Sequence, residues 1–190
     1  MANNIEIEAK ALVSEKDYKK FIERFKKEAE ESYSQTNFYI DDKNMSLIKH
    51  GIALRVRKKD SYELTLKTPL SEGLLEKNQD ITEKEFTDFK EHKKFPEGDI
   101  KRFLTMLGFS IDNLYIITSL STIRSDIKYC DGLLSLDKNT YNGKTDYEIE
   151  FEYNSEIGAK NILKQLFAEL DVRYVDNKKS KVRRAYKTLK

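Results

Sequence analysis

The chain has 190 residues, with 35 Lys and Arg against 33 Asp and Glu, so its formal charge is only +2. That balance excludes a strongly basic nucleic-acid arm and a strongly acidic solvating tail. Charged residues still make up 36% of the chain, above the roughly 25% of an average soluble domain, so the fold must place many charges of both signs.

Ten Phe and eleven Tyr beside only two Pro and seven Gly are the wrong composition for a disordered polar chain. No apolar stretch approaches the roughly 18 residues needed to span a bilayer, and Met1 to Lys10 contains no signal-peptide hydrophobic block. The single cysteine, Cys130, cannot form an internal disulfide, so a reducing compartment is expected. The expectation is a cytoplasmic protein in which the sequon at Asn44 to Ser46 has no role.

Taken in chain order, Ile5, Ile7, Ala9 and Ala11 alternate with Glu6, Glu8 and Lys10 and predict a half-buried strand. Ser14 opens a helix with Tyr18, Phe21, Ile22, Phe25 and Ala29 at helical spacing. Strands follow at Gln35 to Asp41, at Ile52, Leu54 and Val56 against Arg55 and Arg57, and at Tyr62, Leu64 and Leu66 against Glu63, Thr65 and Lys67. Another is predicted at Leu74 to Ile81. Thr82 and Glu85 form a capping box with Ile81 and Phe86 as its staple, which makes Glu83 to about Lys93 a helix. Asp99 is placed as the cap of a short helix ending at Gly108. Strands at Leu114 to Tyr129 and Leu133 to Lys138 precede Tyr147, Ile149, Phe151 and Tyr153, which oppose Asp146, Glu148, Glu150 and Glu152. Ser155 opens an amphipathic helix through Leu170, and the basic segment Lys178 to Lys190 is expected to be helical at its start. The count is about eight strands, without repeat, low-complexity tract or linker, and residues 1–190 read as one domain.

The turns match the faces. A two-residue loop at Asp131-Gly132 puts Lys128 opposite Ser135 and Asp126 opposite Asp137, with Arg124 on the same face. Ile123, Ile127, Leu134 and Leu136 then share the other face. A three-residue loop over Lys59 to Ser61 puts Arg57 opposite Glu63 and Arg55 opposite Thr65, whereas a two-residue loop would mix polar and apolar faces. Asn142-Gly143 marks the last hairpin.

A charged strand face is ordinarily a solvated one. Here the charges sort by strand, with carboxylates at Glu6, Glu8, Glu148 and Glu150 and cations at Arg55, Arg57, Lys67 and Arg124. Arginine's fork suits bidentate recognition of phosphate. If the amphipathic helices cover the apolar side of a curved sheet, the charged side becomes an interior, and roughly eight strands enclose space for one small ligand. His50 and His92 lack cysteine partners at ligand spacing, so no zinc site is expected. Cys130 reads as a packing residue. There is no Gly-rich phosphate loop, so phosphate must be held by side chains. The basic strands also lack the aromatic interleaving of an extended nucleic-acid platform.

Glu6-Ile7-Glu8-Ala9-Lys10 has the Glu-x-Glu-x-Lys form that opens the CYTH domains, the triphosphate tunnel metalloenzymes. The resemblance continues through Leu54-Arg55-Val56-Arg57, Leu64-Thr65-Leu66-Lys67, Arg124, Asp137, Glu148-Ile149-Glu150 and Ser180-Lys181-Val182-Arg183-Arg184. Within that family, the Leu75-to-Gln79 strand, the Phe95-Pro96-Glu97-Gly98 turn and Asp146-Tyr147-Glu148 resemble the YjbK-type proteins of low-GC Gram-positive bacteria.

The resemblance implies an α+β fold: a closed eight-stranded antiparallel β-barrel with helices on its outside and a tunnel that takes a triphosphate-containing small molecule. It implies Mg²⁺ or Mn²⁺ held by Glu6, Glu8, Glu148 and Glu150, with Asp137 next and Glu76 after it, since these ions prefer carboxylate oxygens. Lys10, Arg55, Arg57, Lys67, Arg124, Lys181 and Arg184 would hold phosphoryl oxygens, with the last two closing over one mouth. The implied reaction is metal-dependent hydrolysis in which Lys67 helps to move a proton and Tyr39 assists. Inorganic triphosphate, thiamine triphosphate and nucleoside triphosphates all fit this pattern. A class IV type adenylyl cyclase and a non-catalytic triphosphate or polyphosphate binder are the competing readings.

Overall fold

The computed structural model describes residues 3–71 and 74–189, with side chains from Ile7 onward. They form two compact units. One comprises Met1–Ile5, Thr36–Leu120 and Lys181–Lys190, and the other Glu6–Gln35 and Ser121–Ser180.

In the first unit a ladder runs in the order β1 (Asn3–Glu6), β6 (Leu74–Ile81), β5 (Tyr62–Pro69), β4 (Ala53–Lys58) and β3 (Tyr33–Asp41, from Thr36 onward in this unit), antiparallel from β6 to β3. The three-residue loop at Lys59 to Ser61 is present, with Lys58 opposite Tyr62, Arg57 opposite Glu63 and Arg55 opposite Thr65. Period-2 alternation therefore puts Ile40, Leu54, Val56, Leu64 and Leu66 on one face, where all are buried. Over them lie α2 (Ser46–Lys49), α3 (Glu83–His92) and α4 (Asp99–Met106), which contribute Leu47, Phe86, Phe89, Ile100 and Leu104. Each fully buried Leu or Phe of this kind is worth about 1.5–3 kcal/mol.

The capping box at the start of α3 forms as the spacing requires. Glu85 N–H donates to Thr82 Oγ1 at 3.2 Å, and the Thr82 N–H donates to the Glu85 carboxylate at 2.8 Å. The cap expected at Asp99 does not form, because Gly98 occupies that position at φ 137° and Asp99 is the first helical residue. A Cβ on Gly98 would lie 2.3 Å from the Gln79 side chain, which itself serves the helix start: Gln79 Oε1 accepts the Ile100 N–H at 3.4 Å. Helix α2 is an addition to the sequence reading. It is held by buried Asp41, whose carboxylate accepts the N–H groups of Leu47 and Ile48 at 2.9 and 3.0 Å.

In the second unit the ladder order is β7 (Tyr115–Tyr129, from Ser121 onward in this unit), β8 (Gly132–Tyr141), β9 (Lys144–Glu152) and β2 (Glu8–Val13). Its apolar face, with Ala9, Ala11, Ile127, Leu134, Leu136, Ile149 and Phe151, is buried under α1 (Glu15–Arg24) and α5 (Glu156–Glu169). These helices supply Tyr18, Phe21, Leu163, Leu166 and Phe167. Ser14 and Ser155 cap them as expected, accepting the N–H groups of Asp17 and Gly158.

Three local expectations are corrected. The opening strand is two strands broken at Ile7: Asn3–Glu6 joins β6 and Glu8–Val13 joins β9. The β7–β8 loop is Cys130-Asp131 rather than Asp131-Gly132, so Lys128 faces Leu133, Asp126 faces Ser135 and Arg124 faces Asp137. Both loop residues have φ > 0 (45° and 58°), as a type I′ turn demands. Gly132 is needed for a different reason: a Cβ there would lie 2.5 Å from both the Glu152 carbonyl and the Phe151 ring. Cys130 is accordingly exposed in the turn rather than packed. The shift is two residues, so every face assignment survives it. Finally, residues 178–180 are not helical, and α6 begins at Lys181 (Lys181–Lys187).

A strap follows α5. Asp176 bridges antiparallel to Ala11, and Asn177 N–H donates to the Lys10 carbonyl at 2.7 Å. No helix among the described residues is long and apolar enough to cross a membrane.

Candidate functional site

The polar face of the second unit is laid out in rungs across four strands. Arg124, Asp137, Glu148 and Leu12 form one, and Asp126, Ser135, Glu150 and Lys10 form the next. Alternation thus brings three carboxylates together: Asp137, Glu148 and Glu150 are all buried, and each places an oxygen within 4.8 Å of the others. Among the described residues this is the one group of His, Cys, Asp and Glu with ligand-like spacing.

Buried carboxylates repel one another and need counter-charge. Arg124 supplies it, donating from Nε and one terminal nitrogen to the two Asp137 oxygens at 2.7 Å and from that same terminal nitrogen to Glu150 at 2.6 Å. Burial would lower the Arg124 pKa, but Asp137 and then Glu150 outweigh it and hold the guanidinium firmly charged. Lys10 is ion-paired to Glu8. Its burial also favours the neutral amine, and the carboxylates of Glu8, Glu150 and Glu148 overcome that and raise its pKa. Glu148 accepts the Asn177 amide at 2.8 Å.

The first unit carries the other half of the residues singled out from the sequence. Tyr39, Arg55, Thr65 and Asn78 form one rung, and Lys67 faces Glu76 on the next. Lys67 Nζ lies 2.9 Å from Glu76 Oε2, and Asn78 Nδ2 donates to Glu76 Oε1 at 2.9 Å, so both oxygens of that carboxylate are engaged. Burial would raise the Glu76 pKa, but Lys67, with Arg55 beyond it, holds it at about 2. Arg57 Nε donates to Asn37 Oδ1 at 3.1 Å. Arg55 is 9% exposed, and its Nε is buried without an acceptor. Tyr39 is buried opposite it in the ladder. On α6, Lys181 and buried Arg184 stand three residues apart on one face.

Among the predicted site residues, the second unit therefore groups Glu8, Lys10, Arg124, Asp137, Glu148 and Glu150, and the first groups Tyr39, Arg55, Arg57, Lys67, Glu76, Lys181 and Arg184. Glu6 has its backbone in β1, and its side chain lies outside the described residues. Asn78 and Asn177 were not singled out from the sequence, although each holds a carboxylate that was. Their asparagine character gave no signal; only their contacts mark them.

Two kinds of chemistry follow from this geometry. A cluster of hard oxygen donors fits a divalent ion such as Mg²⁺ or Mn²⁺. A buried guanidinium nitrogen lacking an acceptor fits an anion.

The CYTH domain family model matches residues 4–186. A Bacillus subtilis (strain 168) protein named as a triphosphatase, YjbK, is 35% identical over 154 residues, which are 80% of this chain and 79% of that one. The crystal structure of a Bacillus halodurans protein named as an adenylate cyclase superposes with a TM-score of 0.88 at 36% identity, covering 97% of this chain and 98% of that one. HpAC1 from Hippeastrum, named as an adenylyl cyclase with a dominant triphosphatase activity, shares the fold at 23% identity and a TM-score of 0.78, covering 97% and 96%.

Proposed function

This chain belongs to the CYTH domain family, and from that premise we propose that it hydrolyses a triphosphate-containing substrate with the help of a divalent metal ion. The observation that carries the proposal is the buried triad of Asp137, Glu148 and Glu150. Three desolvated carboxylates cost free energy that a merely structural strand face has no reason to bear. The relatives named for triphosphatase and for adenylate cyclase both imply triphosphate substrates, and inorganic triphosphate, thiamine triphosphate and nucleoside triphosphates are the candidates. The closed eight-stranded barrel, the reading of residues 1–190 as one domain and a cytoplasmic setting belong to the same proposal.

In this reading Asp137, Glu148 and Glu150 hold the ion, with Glu8 and Glu6 contributing and Glu76 the outermost candidate. Bound there, Mg²⁺ or Mn²⁺ would supply Lewis-acid charge to phosphoryl oxygens. Arg55, Arg57, Arg124, Lys10, Lys181 and Arg184 bind and orient the phosphate chain. Arg55 does so with a donor that is already desolvated, so its hydrogen bond to an anion is strong. Positioning and charge stabilisation are most of what phosphoryl transfer needs. Lys67, paired with Glu76, would hold or move a proton near the attacked phosphorus, and Tyr39, opposite Arg55 in the ladder, would assist.

The test is incubation with inorganic triphosphate, thiamine triphosphate and ATP, with and without Mg²⁺ or Mn²⁺, following phosphate, pyrophosphate and cyclic AMP. Phosphate release supports the hydrolase. Pyrophosphate with cyclic AMP would make the chain a cyclase, and binding without turnover a binding module. Glu150→Gln is expected to abolish metal-dependent turnover in a chain that still folds, and full activity in that variant would sink the metal assignment.

A further inference from the structure

The rung that carries Arg55 also carries an orphan of opposite kind. Arg55 faces Thr65, and Thr65 faces Asn78. Arg55 Nε is a buried donor with no acceptor, and Asn78 Oδ1 is a buried acceptor with no donor. The identity of the asparagine oxygen is fixed by its neighbour. Asn78 Nδ2 donates to Glu76 Oε1 at 2.9 Å, and reversing the amide would set two acceptors against each other. Glu76 is further held by Lys67 at 2.9 Å, so the amide cannot turn without breaking into that pair. Arg55 and Asn78 sit on the two strands that flank Thr65, on one rung and one face of the sheet, so the two orphans share that face.

A bare phosphoryl oxygen satisfies Arg55 and leaves Asn78 Oδ1 unpaired. A buried acceptor left unpaired costs free energy as surely as a donor does. An oxygen that carries a hydrogen satisfies both, accepting from Arg55 Nε and donating to Asn78 Oδ1. We propose that the Arg55–Asn78 rung is a subsite for a hydrogen-bearing oxygen, and that Asn78 is a binding residue of the site. Two sources share that chemistry: a water retained beside the substrate, and a protonated terminal phosphoryl group. This rests on the triphosphate reading above and adds to it a residue and the protonation of the group it contacts.

The test is titration calorimetry of the full chain with inorganic triphosphate, in chelator so that nothing is hydrolysed, for the unaltered protein and for Asn78→Leu. The leucine removes the acceptor at similar volume, and circular dichroism establishes that it folds; Asn78→Ala replaces it if it does not. Loss of one hydrogen bond in a desolvated site predicts binding weaker by about five- to twentyfold. Equal affinity in variant and parent overturns the inference. Crystal structures with and without triphosphate separate the sources: a water bridging Arg55 and Asn78 in both identifies water, and a phosphoryl oxygen in its place identifies the protonated phosphate. If the unaltered chain neither takes up triphosphate here nor hydrolyses it with Mg²⁺ or Mn²⁺, the proposed function fails. If it hydrolyses triphosphate with metal but takes up none in chelator, the comparison of parent and Asn78→Leu is read from KM with metal present. In either format an Asn78→Leu chain that matches the parent overturns only the Asn78 assignment.

Discussion

Replacing Glu76 with Gln is expected to cost stability at neutral pH and almost none in strong acid. Lys67 Nζ lies 2.9 Å from Glu76 Oε2, and both side chains are 16% exposed. Burial works against the charged carboxyl, yet Lys67, Arg55 and the Asn78 amide together hold its pKa at about 2 instead of 4.5. At 1.36 kcal/mol per unit such a displacement is worth about 3 kcal/mol, and screening by the water that still reaches the pair brings the expectation to about 2 kcal/mol. The folded value lies below the unfolded one, so this contribution is complete above the unfolded value of 4.5 and is lost as the pH falls through about 2. A glutamine cannot titrate and leaves Lys67 without its counter-charge. Urea unfolding of both proteins across that window reads the effect directly. The gap between them should be about 2 kcal/mol near pH 7 and close toward pH 2. A gap of constant size, or none at neutral pH, would refute the argument that Lys67 governs this carboxylate.

Gly132→Ala should lower stability by about 2 kcal/mol or more, since its Cβ would meet the Glu152 carbonyl and Phe151 ring at 2.5 Å. Gly143→Ala, at φ 74° with no atom within 4 Å, should cost only about 1 kcal/mol of backbone strain; equal losses in thermal melts would show that close approach is not what Gly132 serves. Asn177→Leu removes the amide that holds Glu148 at 2.8 Å and should weaken Mn²⁺ binding roughly 10–100-fold with the fold intact. Electron paramagnetic resonance of free Mn²⁺ measures this, and unchanged affinity would make Asn177 a structural residue only.

The sequence reading reached the faces of the strands before it reached their partners. Alternation depends only on parity, so Leu64, Leu66, Ile149 and Phe151 could be assigned to a buried face, and Arg55, Arg57, Glu148 and Glu150 to the other, without knowing any neighbour. Where a turn had strong local chemistry, as at Thr82 and Asn142-Gly143, register and boundary followed. At Cys130-Asp131 the glycine beside the turn drew the loop one position too far, because Gly132 answers to Phe151 and Glu152, which are distant in the chain. The break at Ile7 was equally hidden, since Glu6-Ile7-Glu8 alternates smoothly while its two halves pair with different strands. Asn177 lies in no predicted element or motif, and Asn78, although inside the Leu75-to-Gln79 strand, has nothing in its residue type to give it a role. The placement of Glu76 and Glu148 alone makes them visible.

The strap after α5 has a consequence beyond holding Asn177. Strand β2 ends the ladder of its unit, and an end strand offers unpaired backbone groups to any passing chain. Asp176 and Asn177 occupy part of that edge through the Ala11 bridge and the bond to the Lys10 carbonyl, and Lys160 secures Asp176 at 3.2 Å. The same few residues that reach toward the carboxylates therefore also act as a guard against self-association. Truncating or loosening them is expected to raise the tendency to edge-to-edge association.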